Sequence, residues 1–130
     1  MLQLGSMKSS DLSAREYHTQ REAEQLYRRE ELRQKQLTRV RKSIRQLAPR
    51  FPAVEAVYLF GSIVQAGHFT DHSDIDVAVK TEDVAVGSAF WRALEEVLEW
   101  NVDVRPYQHP ITQAIADYGE CVYARENAHT

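Results

Sequence analysis

The stretch Gly61–Val79, GSIVQAGHFTDHSDIDVAV, decides how this 130-residue chain can fold. Directly before it, Ala56–Phe60 is a short apolar run of strand-forming residues that a Gly-Ser pair brings to an end. Near its other end, Ile75–Lys80 alternates apolar and polar residues, which is typical of a half-buried strand. The stretch therefore predicts two strands joined by a loop that begins with a short helix.

Three aspartates fall on these strands and on the next one along the chain. Asp74 and Asp76 are two residues apart, and because side chains alternate along a strand they should share one face while Ile75 points into the core. Asp103 lies between two valines of a third predicted strand, residues 101–105, and should also face away from the core. If these strands are neighbours, the three carboxylates meet at one place.

Such a cluster has a definite chemistry. Three close carboxylates repel one another unless a cation compensates their charge. Oxygen ligands without histidine or cysteine suit Mg²⁺ or Mn²⁺, which bind through a few carboxylates and through substrate phosphates. Gly61 and Ser62 supply the complementary part, because glycine lets a phosphate approach the backbone and the serine hydroxyl can donate to it. A phosphate-binding turn beside a two-metal carboxylate site is typical of nucleotidyl transfer.

The remaining sequence predicts helices around these strands. After an irregular segment, Met1–Ser10, the composition is helical from Asp11 until Pro49. A helix of that length would be about 50 Å long at ~1.5 Å per residue, so either its first half projects or the chain breaks into two helices. Further helices are predicted over residues 88–100 and 110–118. The predicted order is helix, strand, short helix, strand, helix, strand, helix.

The charge is distributed unevenly between the two parts of the chain. Residues 1–50 carry twelve Lys or Arg and six Asp or Glu, a net charge of +6, whereas residues 51–130 carry four and thirteen, a net charge of −9. We therefore predict two units, a basic N-terminal helical arm over residues 1–50 and a catalytic domain over residues 51–130. A basic arm would meet phosphates or an acidic protein, and an acidic body repels nucleic acid or gathers carboxylates around metal ions.

The composition also indicates the cellular compartment. The chain has one cysteine, Cys121, which excludes an internal disulfide and a cysteine-based metal cage. It shows neither an export signal nor an apolar stretch that could span a bilayer. The expectation is a soluble cytoplasmic protein without a membrane partner.

The motifs together resemble those of the DNA polymerase β-like nucleotidyltransferase superfamily, and Gly61–Val79 is especially similar to the minimal nucleotidyltransferases (MNT) of prokaryotes. The residues that carry the resemblance are Gly61-Ser62, Asp74-Ile75-Asp76 and Asp103. The tail Ile115–Tyr123 also resembles the closing I…GxxxY segment of that family. The resemblance covers about residues 54–123 and leaves out the N-terminal arm. It implies an α/β (α+β) fold in which a small mixed sheet is flanked by helices, with the long N-terminal helix as an extension.

Minimal nucleotidyltransferases often act as antitoxins of HEPN ribonuclease toxins. The resemblance therefore implies transfer of AMP from ATP to a tyrosine hydroxyl of a HEPN toxin, by a mechanism that uses two Mg²⁺ ions or Mn²⁺. Asp74, Asp76 and Asp103 would be the catalytic metal ligands, and Asp103 would also help to deprotonate the incoming hydroxyl. The residues implied to bind the nucleotide are Gly61, Ser62 and Ser73. The basic arm would grip the toxin or a second copy of the chain.

Three other functions fit the same sequence. One is an antitoxin that acts by occlusion without catalysis, since Gln65 stands in the segment where many members of the family carry an arginine. Another is a nucleotidyltransferase for a small molecule, although such enzymes usually bring an additional helical domain. The third is an RNA-directed enzyme guided by the arm, which is disfavoured because glutamates dilute the positive charge of the arm.

Overall fold

The structure, a computed structural model, describes the backbone of residues 2–126 and the side chains of residues 13–126. In chain order the elements are the helix α1 (Leu2–Leu47), a 3-10 turn (Ala48–Arg50), β1 (Ala56–Phe60), a second 3-10 turn (Gly61–Val64), β2 (Ile75–Lys80), α2 (Val84–Leu98), β3 (Val102–Pro106), α3 (Ile111–Tyr118) and β4 (Glu120–Ala124). A mixed sheet flanked by helices confirms the predicted α+β class. None of the described helices is both long and apolar enough to cross a lipid bilayer.

The helix α1 is uninterrupted over 46 residues, which corresponds to about 69 Å at ~1.5 Å per residue. Because it begins at Leu2, the prediction that Met1–Ser10 is irregular was wrong, although Met1 itself lies outside the described residues. Only Gly5 in that segment strongly disfavours a helix, and extending an existing helix needs no new nucleus. Of the two arrangements considered for this segment, the structure has the single helix. Its residues 13–29 are exposed throughout.

The hydrophobic core lies between one face of the sheet and the helices α1 and α2. The helical side chains of this core recur every three or four residues; they are Leu37, Val40, Ile44 and Leu47 of α1, and Phe90, Leu94 and Leu98 of α2. On the strands the core side chains alternate, as in Val57 and Leu59 of β1 and Val77 and Val79 of β2. The last third of α1 therefore belongs to the folded body. Division of the chain into an arm and a domain at residue 50 stays a prediction.

The sheet has four strands in the order β3-β2-β1-β4. The strand β1 is antiparallel to both β2 and β4, while β2 and β3 run parallel. The strand β4 was not predicted, because it is a short edge strand with one buried side chain, Val122. It pairs with β1, which lies far away in the sequence. Its own residues therefore show no hydrophobic alternation from which a strand could be predicted.

The helix α2 begins four residues earlier than predicted. The Asp83 carboxylate accepts hydrogen bonds from the backbone N–H groups of Ala85 (3.0 Å) and Val86 (3.3 Å), which caps the helix at its first turn. It ends at Glu99, whose left-handed backbone (φ 52°) stops the helix before the predicted end at Trp100.

Candidate active site

Strand register brings the predicted turn and two of the predicted carboxylates together. The β2–β3 pairing sets Asp76 opposite Asp103, and the β1–β2 pairing sets Phe60, which directly precedes the Gly61 turn, opposite Asp76. Asp74 lies one residue before β2 and is exposed. Since the flanking strand residues fill the core, Asp76 and Asp103 lie on the face of the sheet turned away from it. These residues therefore meet at one end of the central strands.

Gly61 is in direct contact with Asp76. Its φ of +76° is in the left-handed region that favours glycine. A Cβ atom added at Gly61 would lie 2.1 Å from Oδ2 of Asp76 and 3.1 Å from its Cγ. Only glycine therefore fits where the turn crosses the carboxylate.

The side chain of Asp76 has a raised pKa. Burial, followed by the negative charges of Asp103 and Asp74, raises its pKa from 3.8 to about 6, against a smaller opposing effect of the Arg105 guanidinium. The negative charges of Asp103 and Asp74 thus act on Asp76 and produce a charge repulsion there. A cation bound among them would relieve it.

Asp103 already has a cationic neighbour that the sequence analysis missed. Nε of Arg105 lies 3.1 Å from Oδ2 of Asp103. The two residues are i and i+2 on β3 and therefore share a face, which is the signal that could have identified the pair. The Arg105 side chain is 57% exposed and can move without unpacking the core.

The two predicted serines occupy different settings. Ser62 lies half-buried in the 3-10 turn, and among the described residues its hydroxyl makes no hydrogen bond. The Ser73 hydroxyl accepts a hydrogen bond from the Thr70 N–H (2.9 Å) and thereby stabilises the loop. Ser73 also borders an open cavity of about 530 Å³, which none of the other five candidate residues lines.

The short helix predicted after β1 is a four-residue 3-10 turn, Gly61–Val64. A turn of this length adds little helix dipole, so phosphate binding here would depend on individual N–H and O–H groups.

Two aromatic residues fix the loop that leads into β2. Phe69 is fully buried and stacks on Trp100, with ring centroids 5.8 Å apart. Nε1 of Trp100 donates to the carbonyl oxygen of Ser73 at 2.8 Å, so the chain is anchored immediately before Asp74. His68 and His72, which lie in the same loop, are exposed.

The donor chemistry of the cluster suits a divalent cation, but the side chains do not enclose one by themselves. Within residues 13–126, no three Asp, Glu, His or Cys side chains form a ready-made metal cage. Asp103 is instead paired with Arg105. Further oxygen ligands would have to come from the substrate, as is common for Mg²⁺.

With this geometry established, comparison with known proteins identifies the family. The profile of the family described as polymerase beta, nucleotidyltransferase matches residues 42–128, which is more than half of the chain. The chain belongs to this family. It is therefore a nucleotidyltransferase, and the resemblance inferred from Gly61-Ser62 and the aspartates is confirmed.

Several solved structures are similar to this nucleotidyltransferase. A mutant of the toxin–antitoxin MntA-HpeT is 27% identical with a TM-score of 0.51, and the match covers 65% of this chain and 72% of that one. A toxin–antitoxin structure with AMP-PNP is 25% identical with a TM-score of 0.51, over 64% and 71%. A complex of the tri-AMPylated Shewanella oneidensis HEPN toxin with an MNT antitoxin is 22% identical with a TM-score of 0.51, over 69% and 74%, which shows the fold alone. No curated protein matches the sequence.

The family match begins at residue 42 and so leaves most of α1 unmatched. The unmatched part includes the exposed residues 13–29 and the following turn of helix, where α1 first touches the body. The family match therefore gives no role to that region.

Proposed function

We propose that this nucleotidyltransferase is an antitoxin that transfers AMP from ATP to a tyrosine hydroxyl of a HEPN ribonuclease toxin. The observation that carries the proposal is the register of Asp76 with Asp103 beside the Gly61 turn, in a fold similar to toxin–antitoxin proteins. The structure with AMP-PNP, at 25% identity, supports an adenine nucleotide as the donor.

In this proposal Asp74, Asp76 and Asp103 hold two Mg²⁺ ions, for which Mn²⁺ could substitute. The raised pKa of Asp76 supports it, because burial and, after it, the negative charges of Asp103 and Asp74 disfavour the ionised carboxylate, and a divalent cation would offset both. When bound, the two ions act as Lewis acids on the α-phosphate and offset the charge of the departing pyrophosphate. Gly61, Ser62 and Ser73 would bind the β- and γ-phosphates, and the unengaged Ser62 hydroxyl favours that role.

The transfer is an in-line substitution at the α-phosphorus. The tyrosine oxygen forms the new bond to phosphorus, the bond between that phosphorus and the α,β-bridging oxygen breaks, and pyrophosphate leaves with the electron pair. Asp103 would accept the phenolic proton, since its strand position faces the same side as Asp76. Arg105 would have to release Asp103 first, and its exposure makes that movement inexpensive.

The acceptor should be another protein. The similarity to toxin–antitoxin complexes makes a HEPN toxin the favoured acceptor.

The test is transfer of labelled AMP from α-labelled ATP to a purified HEPN toxin, with intact-mass and peptide analysis of the product. The expected result is one or more AMP units on tyrosine and loss of RNase activity that requires both ATP and Mg²⁺. Neutralisation of the RNase without ATP and without a mass increase would instead support the occluding antitoxin. Transfer to RNA or to a small molecule, with none to the toxin, would contradict the proposal.

A further inference from the structure

Two side chains of α1, Glu30 and Arg33, connect this helix to the turn that follows β1. Arg33 is buried at 8% exposure, and its Nη1 donates to the carbonyl oxygen of Ile63 at 3.1 Å. Its Nε donates to Oε1 of Glu30 at 2.6 Å. Oε2 of Glu30 in turn accepts the backbone N–H of Gly67 at 3.3 Å. We refer to Glu30 and Arg33 as the α1 clamp.

The α1 clamp provides hydrogen-bond partners for buried polar groups that would destabilise the fold if they were unpaired. Ile63 is fully buried within the 3-10 turn. Without Arg33 its carbonyl oxygen would lose this hydrogen bond at a position where water cannot replace it. A buried guanidinium is itself unfavourable unless it is paired, and Glu30, three residues earlier on the same helix face, provides the partner. The Arg33 guanidinium accordingly holds the pKa of Glu30 below its usual range.

The α1 clamp contacts the segment of residues 61–67 at two points, Ile63 and Gly67. Arg33 holds it at Ile63, two residues after Gly61, and Glu30 holds it at Gly67, where φ is +82°. Inside the segment, the Gln65 amide donates to the carbonyl oxygen of Gly61 at 3.2 Å. Since Gly61 touches Asp76, a displacement of this segment would reach the carboxylate directly.

We infer that Glu30 and Arg33 are positioning residues for the nucleotide-binding turn, which they hold in place from outside the family-matched residues. This inference rests on the proposed function of the Gly61-Ser62 turn and goes beyond it, because it makes α1 part of the nucleotide site. The clamp touches the backbone of the turn and not the substrate. Its loss should therefore act on ATP affinity through the order of residues 61–67.

The helix offers a matched control for this inference. Arg39 is also a partly buried arginine of α1 that donates to a backbone carbonyl, that of Leu98, at 3.0 Å. Leu98 is the last residue of α2 and lies far along the chain from the turn. Arg33→Met and Arg39→Met therefore remove similar contacts, and only the first removes one from the turn.

The experiment compares the wild type and these variants, as full chains, by three measurements. They are hydrogen exchange of the amides of residues 61–67, titration with Mg²⁺-ATP, and thermal melting. Arg33→Met should speed exchange in this segment and weaken ATP binding about 10-fold, as expected for loss of one charged hydrogen bond. Arg33→Lys, which keeps the charge, should recover part of the affinity. Arg39→Met should lower the melting temperature but leave both other readouts as in the wild type. In the transfer reaction, Arg33→Met should raise KM for ATP more than it lowers kcat.

Unchanged exchange over residues 61–67 in Arg33→Met, or the same change in Arg39→Met, would overturn the inference. The exchange result does not depend on transfer, so it remains decisive if the wild type fails to modify the toxin. In that case the proposed function fails, and the positioning role of Glu30 and Arg33 is decided by hydrogen exchange and ATP binding alone.

Discussion

At the scale of single residues, the candidate site depends on one close contact. The backbone of Gly61 and the carboxylate of Asp76 occupy adjoining space with no room for a methyl group between them. Strand register then adds Asp103 on the other side of Asp76. The turn that we propose binds phosphate and the carboxylate that we propose binds metal are thereby set in contact.

Gly61→Ala should abolish nucleotide transfer, with a loss of at least about 100-fold. The new methyl group would meet the Asp76 carboxylate at 2.1 Å and displace either that carboxylate or the turn. Gly67→Ala is the matched control, because Gly67 also has a positive φ but has open space around its Cβ position. Both variants should share the backbone strain of about 1 kcal/mol, measured by denaturation. Equal activity losses in the two variants would contradict the importance of the contact.

In the metal-free protein, Asp76 should make stability depend on pH. Its pKa is raised from 3.8 to about 6 in the folded state, so between these values the folded state keeps a proton that the unfolded state has lost. The free energy of unfolding should therefore fall as the pH rises through this window, by on the order of 1 to 3 kcal/mol.

Asp76→Asn should remove this dependence and be more stable than the wild type at about pH 7.5, as measured by urea denaturation in EDTA. Asp71→Asn, at an exposed position of the preceding loop, should behave as the wild type. If Asp76→Asn keeps the wild-type slope between about pH 4 and pH 6, the raised pKa of Asp76 is refuted.

At the scale of elements, the least predictable strand is held by an ion pair with α1 as well as by its pairing with β1. The strand β4 is joined to α1 by Arg41 and Glu120, with Nε–Oε2 and Nη2–Oε1 distances of 2.7 and 2.5 Å. The residues are 79 positions apart, and their side chains are 34% and 29% exposed. This bidentate contact fixes the last strand on the helix.

The Arg41–Glu120 pair should contribute about 0.5 to 1 kcal/mol at neutral pH, reduced by its partial exposure. The guanidinium lowers the pKa of Glu120 in the folded state, so the contribution is present above the unfolded pKa and is lost as the pH falls through the lowered one. A double-mutant cycle with Arg41→Gln and Glu120→Gln measures it. A coupling energy that is zero at neutral pH, or that persists unchanged in acid, would refute this assignment.

The sequence predicted those elements whose signal is local. A short apolar run of strand-forming residues predicted β1, and alternation predicted β2 and β3. Strand periodicity also predicted the shared face of Asp74 and Asp76. The strand β4, the Asp83 cap and the α1 clamp escaped prediction, since pairing and capping depend on which partners the fold brings close. Glu30 and Arg33 look like ordinary charges on a solvated helix until the turn is placed against them.

At the scale of the whole molecule, part of the uneven charge is used in internal contacts. Residues 32–54 contain seven Lys or Arg and no Asp or Glu. Arg33, Arg39 and Arg41 of this region contact the body. The exposed residues 13–29 carry four arginines and three glutamates, so their net charge is small. What that part of α1 presents is apolar side chains, with Tyr17, Leu26 and Tyr27 at 56%, 52% and 66% exposure.

Deleting residues 1–28 should leave folding and ATP binding intact and weaken binding to the toxin. The exposed part of α1 would engage the partner through Tyr17 and the Leu26-Tyr27 pair, with little dependence on salt. Extending the deletion through Gln34 removes the α1 clamp and should also weaken ATP binding.

Thermal melting, ATP titration and toxin binding of both truncated chains decide this prediction. Light scattering of the intact chain shows whether a second copy covers these residues instead. Collapse of the melting transition after the shorter deletion, or unchanged toxin affinity, would contradict a partner-binding role for the projecting helix.

The central claim is that the carboxylates beside Gly61 catalyse transfer of AMP to a protein. The most direct measurement compares the intact mass of the toxin after incubation with ATP, Mg²⁺ and either the wild type or Asp76→Asn, with toxin binding measured in parallel. We predict AMP addition by the wild type, and at least a ~100-fold slower reaction by Asp76→Asn with unchanged toxin affinity. Transfer by Asp76→Asn at the wild-type rate, or no transfer by the wild type to a toxin that it binds, would contradict the account.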